Sequence, residues 1–172
     1  MENIDILFGD ITQAEEDAIV NAANPTLLGG GGVDGAIHKA AGPELLQACK
    51  EIGLVNNIRC PYGEARITPA GNLKSKYVIH AVGPIYSQAC DPEVLLKSAY
   101  ENSCLLAQTY HCQSIAFPAI SCGAYGYPHK EAAAIAIAVC GAEKYRHLHI
   151  RFYLFEHALY EIFNETLLRL IK

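Results

Sequence analysis

The sequence predicts an α/β fold in which a mainly parallel β-sheet lies between two layers of helices. Short apolar strands alternate with helical segments along the whole chain, which is typical of such folds. Segment 76–84 is almost entirely apolar, as expected for a strand that is covered on both faces. Two glycine-rich turns each lie between a strand and a helix. Ligands of open parallel sheets bind beyond the carboxyl ends of the strands, so these turns predict the position of a site.

The individual elements follow from residue patterning. Strands are predicted where apolar and β-branched residues run together, at 4–8, 17–20, 63–68, 76–84, 114–117 and 150–155. Helices are predicted where apolar residues recur at helical spacing after capping signals, at 13–16, 36–41, 43–52, 92–109, 129–144 and from 156 onward. The clearest helix start is Asp91-Pro92-Glu93, because an acidic N-cap is followed there by proline at the first helical position.

Length and composition indicate one globular domain over residues 1–172, with 51% apolar and 18% charged residues. The amino terminus does not resemble a secretory leader, and the longest low-polarity run, 132–142, is too short to cross a bilayer. We therefore expect no membrane partner. The seven cysteines form no C-x-x-C pair, which indicates free thiols in a reducing, cytoplasmic compartment rather than disulfides or a metal site.

The net charge of −5 and the lack of a basic run argue against a nucleic-acid polymer as partner. A small anionic ligand must then be held mainly by backbone N–H groups. Segment 20–42 suits this purpose, because four consecutive glycines, 29–32, precede a helix whose free N–H groups and dipole favour an anion. The alternative is a flexible surface loop, but the flanking Leu27, Leu28 and Val33 favour burial.

Residues 30–35 also match the G-x-G-x-x-G pattern of dinucleotide-binding folds, which would indicate a nicotinamide-dependent dehydrogenase. In those folds the pattern directly follows a strand, and an acidic residue lies about 20 positions later at the end of a second strand. Here residues 21–28 separate the strand from the glycines, and residues 51–53 resemble the end of a helix. The context therefore does not support a dinucleotide site.

The same segment contains N-A-A-N at 21–24, G-G-G-G-V-D-G-A-I-H at 29–38 and A-A-G at 40–42. With these motifs it resembles the first binding loop of the macrodomain family, specifically of the MacroD-type branch that hydrolyses ADP-ribose linkages. Further similarities are G-D-I-T at 9–12 and G-E-A-R-I-T at 63–68. The resemblance extends over essentially the whole chain and implies a three-layer α/β/α sandwich with a mixed, mainly parallel sheet.

The resemblance also implies roles for individual residues. Asn24 and Asp34 are the implied catalytic pair, and Asn24 would hold the hydroxyls of the distal ribose. The implied ligand-binding residues are Asp10, Ile11, Asn21, Gly31, Gly32, Val33, Ser121, Cys122, Gly123, Ala124, Tyr125 and Phe155. Asp10 and Phe155 would contact adenine, the glycines and Val33 the phosphate and ribose, and Tyr125 the distal ribose.

Several of these residues have structural alternatives. Spacing alone favours Asp10 as the cap of the short helix after it, over the binding role that the resemblance implies. Phe155 is equally suited to packing in the core. Cys122 precedes a helix, where a thiolate is stabilised, and His129 would be its base if it were a nucleophile. The family has Thr at this position, which favours a small loop-filling residue instead.

Histidines outside the loops receive no chemical role from the sequence. His80 lies inside an apolar strand and is expected to be a hydrogen-bonded core residue. His147 and His149 lie on the same side of a strand, and two histidines alone are a weak metal signal. We expect them at the surface and predict no metal site.

By resemblance, the ligand is ADP-ribose, the partners are ADP-ribosylated proteins, and no cofactor is implied. The implied reaction is hydrolysis of the ester between ADP-ribose and an acidic side chain, with deacetylation of O-acetyl-ADP-ribose as the related small-molecule reaction. An unperturbed aspartate, with a pKa of about 3.9, is a weak base at pH 7. Water activation by Asp34 and by a ligand phosphate are therefore both open. The principal alternative function is a reader that binds ADP-ribose without cleaving it.

Overall fold

The computed structural model describes residues 1–171. Six strands form one sheet: β1 (Ile4–Phe8), β2 (Ala18–Ala22), β3 (Ala65–Pro69), β4 (Tyr77–Ala81), β5 (Ser114–Phe117) and β6 (His149–Leu154). Their spatial order is β1-β6-β5-β2-β4-β3. Every neighbouring pair is parallel except the edge strand β3, which runs antiparallel to β4. The prediction of a mixed, mainly parallel sheet is confirmed.

Five helices cover both faces of the sheet: α1 (Gly32–Ala41), α2 (Pro43–Lys50), α3 (Pro92–Thr109), α4 (His129–Cys140) and α5 (His157–Leu170). The large core cluster joins one face to α3, α4 and α5, whereas a smaller cluster joins the other face to α1 and α2. This arrangement is the α/β/α sandwich that the sequence predicts. No helix within residues 1–171 is long and apolar enough to cross a membrane.

Some element boundaries differ from the predictions. The first short helix is a 3-10 turn at Ile11–Gln13 instead of 13–16, and α4 ends at Cys140, before a second 3-10 turn at Glu143–Tyr145. Strand β2 continues to Ala22 because its last residues stay in register with β4. Helix α1 begins four residues earlier than predicted, at Gly32.

Side-chain alternation decides which residues of β2 and β4 approach α1 and α2. Ile19 and Val78 belong to the cluster on that face, whereas the residues next to them in sequence point to the large core. Because strand side chains repeat every two residues, Asn21 and His80 lie on the α1–α2 face as well. Asn21 and His80 are register partners. The strand pairing therefore places two buried polar side chains behind the glycine loop.

Candidate active site

A cleft opens at the carboxyl edge of the parallel strands. It has two adjoining chambers with volumes of about 310 and 440 Å³, and both are lined by Gly32, Val33, Ala119 and Gly123. The first chamber lies between the loop that follows β2 and the loop that follows β5. The second lies where β1 and β6 end. The cleft is therefore where the two glycine-rich turns predict it.

The glycine loop passes directly into helix α1. Gly31 is the N-cap and has no side chain to satisfy the first N–H groups, so the helix presents free donors to the cleft. Gly32 adopts a positive φ of 58°, which costs glycine little. Because α1 begins at Gly32, Val33 and Asp34 are in its first turn, not in a loop as the sequence suggested.

Asp34 is 5% exposed and lines the first chamber. The side-chain Nδ2 of Asn21 donates a hydrogen bond to its Oδ1 at 2.8 Å, and Nε2 of His38 lies 3.4 Å from the same oxygen. Burial raises the pKa of Asp34 above its ordinary value, while the bond from Asn21 and the field of His38 oppose the rise. The carboxylate is thus a stronger base than the sequence alone suggests.

Asn24 reaches the same chamber from the loop. Its Oδ1 accepts hydrogen bonds from the backbone N–H of Thr26 (3.0 Å) and the hydroxyl of Thr26 (2.5 Å), and its Nδ2 donates to the carbonyl of Gly29 (3.0 Å). A Cβ placed on Gly30 would lie 3.2 Å from Oδ2 of Asp34 and 3.5 Å from Nδ2 of Asn24. The two predicted catalytic side chains therefore converge beside Gly30.

Asn21 is fully buried on β2 and does not line the cleft. Its amide donates a hydrogen bond to Asp34, and its contact with the ligand stays a prediction. The sequence did not reveal this arrangement, because the predicted strand ended at Val20 and left Asn21 in the loop.

The second loop forms the opposite wall of the first chamber. Ser121 has a φ of 66°, and its hydroxyl donates to the carbonyl of Pro84 at 2.8 Å. The N–H of Tyr127 donates to the carbonyl of Ser121 at 2.9 Å, which closes the loop. Gly123, Ala124 and Tyr125 line the chamber between these anchors, and their contact with a ligand stays a prediction.

Cys122 does not have the properties of a nucleophile. It is 7% exposed, and burial, with a smaller contribution from Glu156, raises the pKa of its thiol to about 12. Nε2 of His129 contacts the backbone carbonyl of Cys122 at 3.1 Å. The thiol is therefore protonated at neutral pH, and the structure supports the loop-filling alternative.

The second chamber contains the predicted adenine residues. Asp10 is exposed, and its Oδ1 caps the 3-10 turn by accepting from the N–H (2.9 Å) and the hydroxyl (2.8 Å) of Thr12. Asp10 thus acts as a cap and also lines the chamber with Ile11. Phe155 is 77% exposed and lines the chamber as well, so its core alternative is wrong.

Several residues of the second chamber were not among the ligand-binding residues that the sequence predicts. They are Gly9, Ala36, Pro118, Tyr153, Leu154, Glu156 and Leu159. Tyr153, Leu154 and Glu156 are neighbours of Phe155 along the chain, so attention to the whole end of β6 could have identified them. Ala36 and Leu159 lie on helices whose orientation depends on tertiary packing.

His38, Cys49 and His80 place three potential metal-ligating atoms within 4.8 Å of one another. Two of the three contact each other or a neighbour: Nε2 of His80 lies 3.0 Å from the hydroxyl of Thr68 and 3.5 Å from Sγ of Cys49. Nε2 of His38 lies 3.4 Å from Oδ1 of Asp34. Burial raises the pKa of Cys49 to about 11, so the sulfur of the free protein is a thiol at neutral pH. His147 and His149 are exposed, and Nε2 of His149 lies 2.8 Å from Oδ2 of Asp5.

Comparison with known proteins supports this description. Residues 20–136 match the family model described as Macro domain. A macro domain-containing protein of Vibrio parahaemolyticus is 59% identical over 167 residues, which cover 97% of this chain and 98% of that protein. An O-acetyl-ADP-ribose deacetylase of Salmonella newport is 57% identical over 135 residues, covering 78% of this chain and 75% of that protein. A solved structure, the Oceanobacillus iheyensis macrodomain with ADP, is 46% identical in sequence and superposes with a TM-score of 0.93. The match covers 98% of this chain and 91% of that chain. The chain belongs to the macro domain family.

Proposed function

We propose that this chain binds ADP-ribose and hydrolyses its esters, releasing acetate from O-acetyl-ADP-ribose and ADP-ribose from aspartate or glutamate side chains of modified proteins. The observation that carries this proposal is the convergence of Asp34 and Asn24 beside Gly30 in the first chamber. It pairs a buried carboxylate with an amide donor where a substrate would lie. The similarity to a named deacetylase and to an ADP-bound macrodomain supports the ligand class.

The cleft fits a nucleoside diphosphate joined to a second sugar. Free N–H groups at the start of α1 and the second loop face each other across the first chamber, where they would hold a diphosphate. Phe155 offers an exposed ring for stacking on adenine, and Asp10 offers an acceptor for its amino group. The distal ribose would then lie at Asn24 and Asp34.

In the proposed reaction, water is the nucleophile and Asp34 is the base. Asp34 accepts a proton from a water molecule, and the water oxygen forms a bond to the acyl carbon of the ester. The bond between that carbon and the ribose oxygen then breaks, and Asp34 passes the proton to this oxygen, which leaves as a hydroxyl. Burial favours Asp34 over a ligand phosphate as the base, because it raises the pKa of the carboxyl group towards neutrality.

The alternative is a reader that binds ADP-ribose without cleaving it. A reader requires contacts with the diphosphate, ribose and adenine, but it transfers no proton and so gains nothing from a carboxyl group whose pKa is raised. Burying Asp34 carries a desolvation cost, and the chain supports it with two neighbouring groups. The presence of that arrangement favours the enzyme.

The test compares the wild type with Asp34→Asn, which keeps the shape and an acceptor for Asn21. We would measure acetate release from O-acetyl-ADP-ribose, ADP-ribose release from a protein modified on glutamate, and calorimetric binding of ADP-ribose. Loss of a general base costs roughly 10²–10⁴-fold in rate. We expect that loss in kcat for Asp34→Asn, with ADP-ribose affinity within a few-fold of the wild type.

Asp91→Asn is the matched control, since it removes an exposed carboxylate outside the cleft and leaves a residue that also caps helices well. Its rates should equal those of the wild type. Binding by the wild type without release from either substrate would make the chain a reader. Acetate release without release from modified protein would restrict the activity to the small ester.

All seven cysteines are free, which supports placing the chain in the reducing cytoplasm.

A further inference from the structure

A buried row of hydrogen bonds extends from the edge strand β3 to Asp34. Thr68 on β3 contacts Nε2 of His80, Nδ1 of His80 contacts Nδ2 of Asn21 at 3.3 Å, and Asn21 contacts Asp34. Thr68, His80 and Asn21 are 4%, 0% and 0% exposed. None of the three lines the cleft, so none can touch a substrate.

The direction of each hydrogen bond in this row can be assigned. The Nδ2 atom of Asn21 lies 2.8 Å from a carboxylate oxygen, which only accepts, so the amide must present its NH₂ group there. The same NH₂ group then meets Nδ1 of His80, which must accept. The proton of the neutral ring is therefore on Nε2, and it is donated to the hydroxyl of Thr68.

The ring remains neutral because burial, with a smaller contribution from His38, lowers the pKa of His80 to about 3. The opposite tautomer would place a ring N–H against the NH₂ group of Asn21. Asn21 also leaves its Oδ1 buried without a hydrogen-bond partner within residues 1–171. Both N–H groups of this amide are engaged while its acceptor is not, which indicates that its donors determine its orientation.

We propose that His80 is a positioning residue: held in its Nε2-protonated tautomer by Thr68, it orients the Asn21 amide so that one N–H points at the carboxylate of Asp34. This inference rests on the proposed function insofar as Asp34 is the base. The row favours the ionised form of Asp34 and holds one of its oxygens, which leaves Oδ2 directed towards Gly30 and Asn24.

Other ionisable groups also face Asp34 from the elements around it. They are His38 on α1, Cys49 on α2, His80 on β4 behind Asn21, and Tyr125 on the second loop. His38 lowers the pKa of Asp34, and the Asn21 hydrogen bond lowers it more. Weakening the row should therefore raise the pKa of Asp34, because His38, Cys49 and Tyr125 are not part of the row and stay in place.

The test is Thr68→Val, which removes the hydroxyl and keeps a β-branched side chain in the strand. The remaining neighbour of Nε2, the thiol of Cys49, is a weak acceptor. We expect the apparent pKa of the acid limb in the pH profile of kcat/KM for acetate release to increase by about one unit. At a given pH on that limb, activity should then be roughly tenfold lower than in the wild type. KM at pH 8 should stay within twofold. Thr68→Ser, which restores a hydroxyl, should restore the profile.

Thr166→Val is the matched control, since it removes a hydroxyl that is 3% exposed and bonded within α5. It should leave the profile unchanged. Two NMR measurements remain informative if the wild type proves inactive: the ¹⁵N shifts of His80 report its tautomer, and the ¹³C shift of Asp34 reports its titration. An Nδ1-protonated His80, or an equal Asp34 titration in the wild type and Thr68→Val, would overturn the proposal. An inactive wild type that shows the expected NMR behaviour would overturn only the proposed function.

Discussion

At the residue scale, Phe155 is the clearest case in which exposure distinguishes a binding role from a structural role. Its ring is 77% exposed at the end of β6, so it contributes little to the core. An aromatic ring left in water beside an apolar chamber has a natural use as a stacking surface. Cys122 shows the opposite case, because a residue type known for reactivity is buried and protonated here.

We predict that Phe155→Ala weakens ADP-ribose binding by about 3- to 10-fold, since aromatic stacking contributes roughly 0.5–1.5 kcal/mol. The melting temperature should not change, and affinity for ribose 5-phosphate, which lacks adenine, should be equal to that of the wild type. Calorimetry with both ligands measures this. Phe8→Ala is the control, since Phe8 is 59% exposed and outside the cleft. Equal losses for both ligands would contradict the adenine assignment.

At the element scale, the glycine loop and helix α1 form one unit. Gly35 lies inside the helix, and a Cβ placed there would be 2.5 Å from the backbone carbonyl of Gly30. The loop thus folds back onto the first turn of the helix at a position where only glycine fits. This close approach helps to hold Gly30 next to Asn24 and Asp34.

We predict that Gly35→Ala lowers the free energy of unfolding by about 1–3 kcal/mol, as is usual for overpacking at a site that cannot relax. ADP-ribose affinity should fall at least tenfold, because Gly30 must move. Gly53→Ala is the comparison, since Gly53 is exposed outside any helix, a Cβ there meets nothing within 4 Å, and its φ is not in the left-handed region. Its stability in urea unfolding should match that of the wild type. If both variants unfolded at the same urea concentration, the close approach at Gly35 would not matter for stability.

At the scale of the whole molecule, the buried row couples folding to pH. The pKa of His80 is about 3 in the native state, against about 6.5 for an unfolded histidine, so the unfolded chain binds the extra proton first. Stability is then lost as the pH falls from 6.5 towards 3. Asp34 acts in the opposite direction, because its raised native pKa favours the folded state as the pH falls towards 3.8.

We predict that the free energy of unfolding is about 2 kcal/mol lower at pH 5 than at pH 7 because of His80. Urea unfolding at both pH values, with an unchanged m-value, measures the difference. His80→Gln should remove most of this pH dependence even if it is less stable overall. His147→Gln, at an exposed histidine, should retain it. The same loss of stability between pH 7 and 5 in the wild type and in His80→Gln would contradict the native pKa assigned to His80.

The sequence by itself determined the fold class, the family and most of the cleft. Alternation of strands and helices, the apolar strand around Val78 and the two glycine-rich turns are local patterns, and local patterns also determine which ends of parallel strands carry the loops. The pairing of Asn24 with Asp34 came from a motif, and the structure brings the two side chains together beside Gly30.

Only the tertiary structure decided which buried side chains support Asn24 and Asp34. Asn21, Thr68 and His80 come from three strands, and strand register with side-chain alternation brings them into one buried row. Burial, which raises the pKa of Asp34 and of the Cys122 thiol, depends on residues distant in sequence. The exposure of Phe155 also depends on how α5 packs after β6. Desolvation and register are properties of the assembled chain, because each arises from neighbours that no local segment contains.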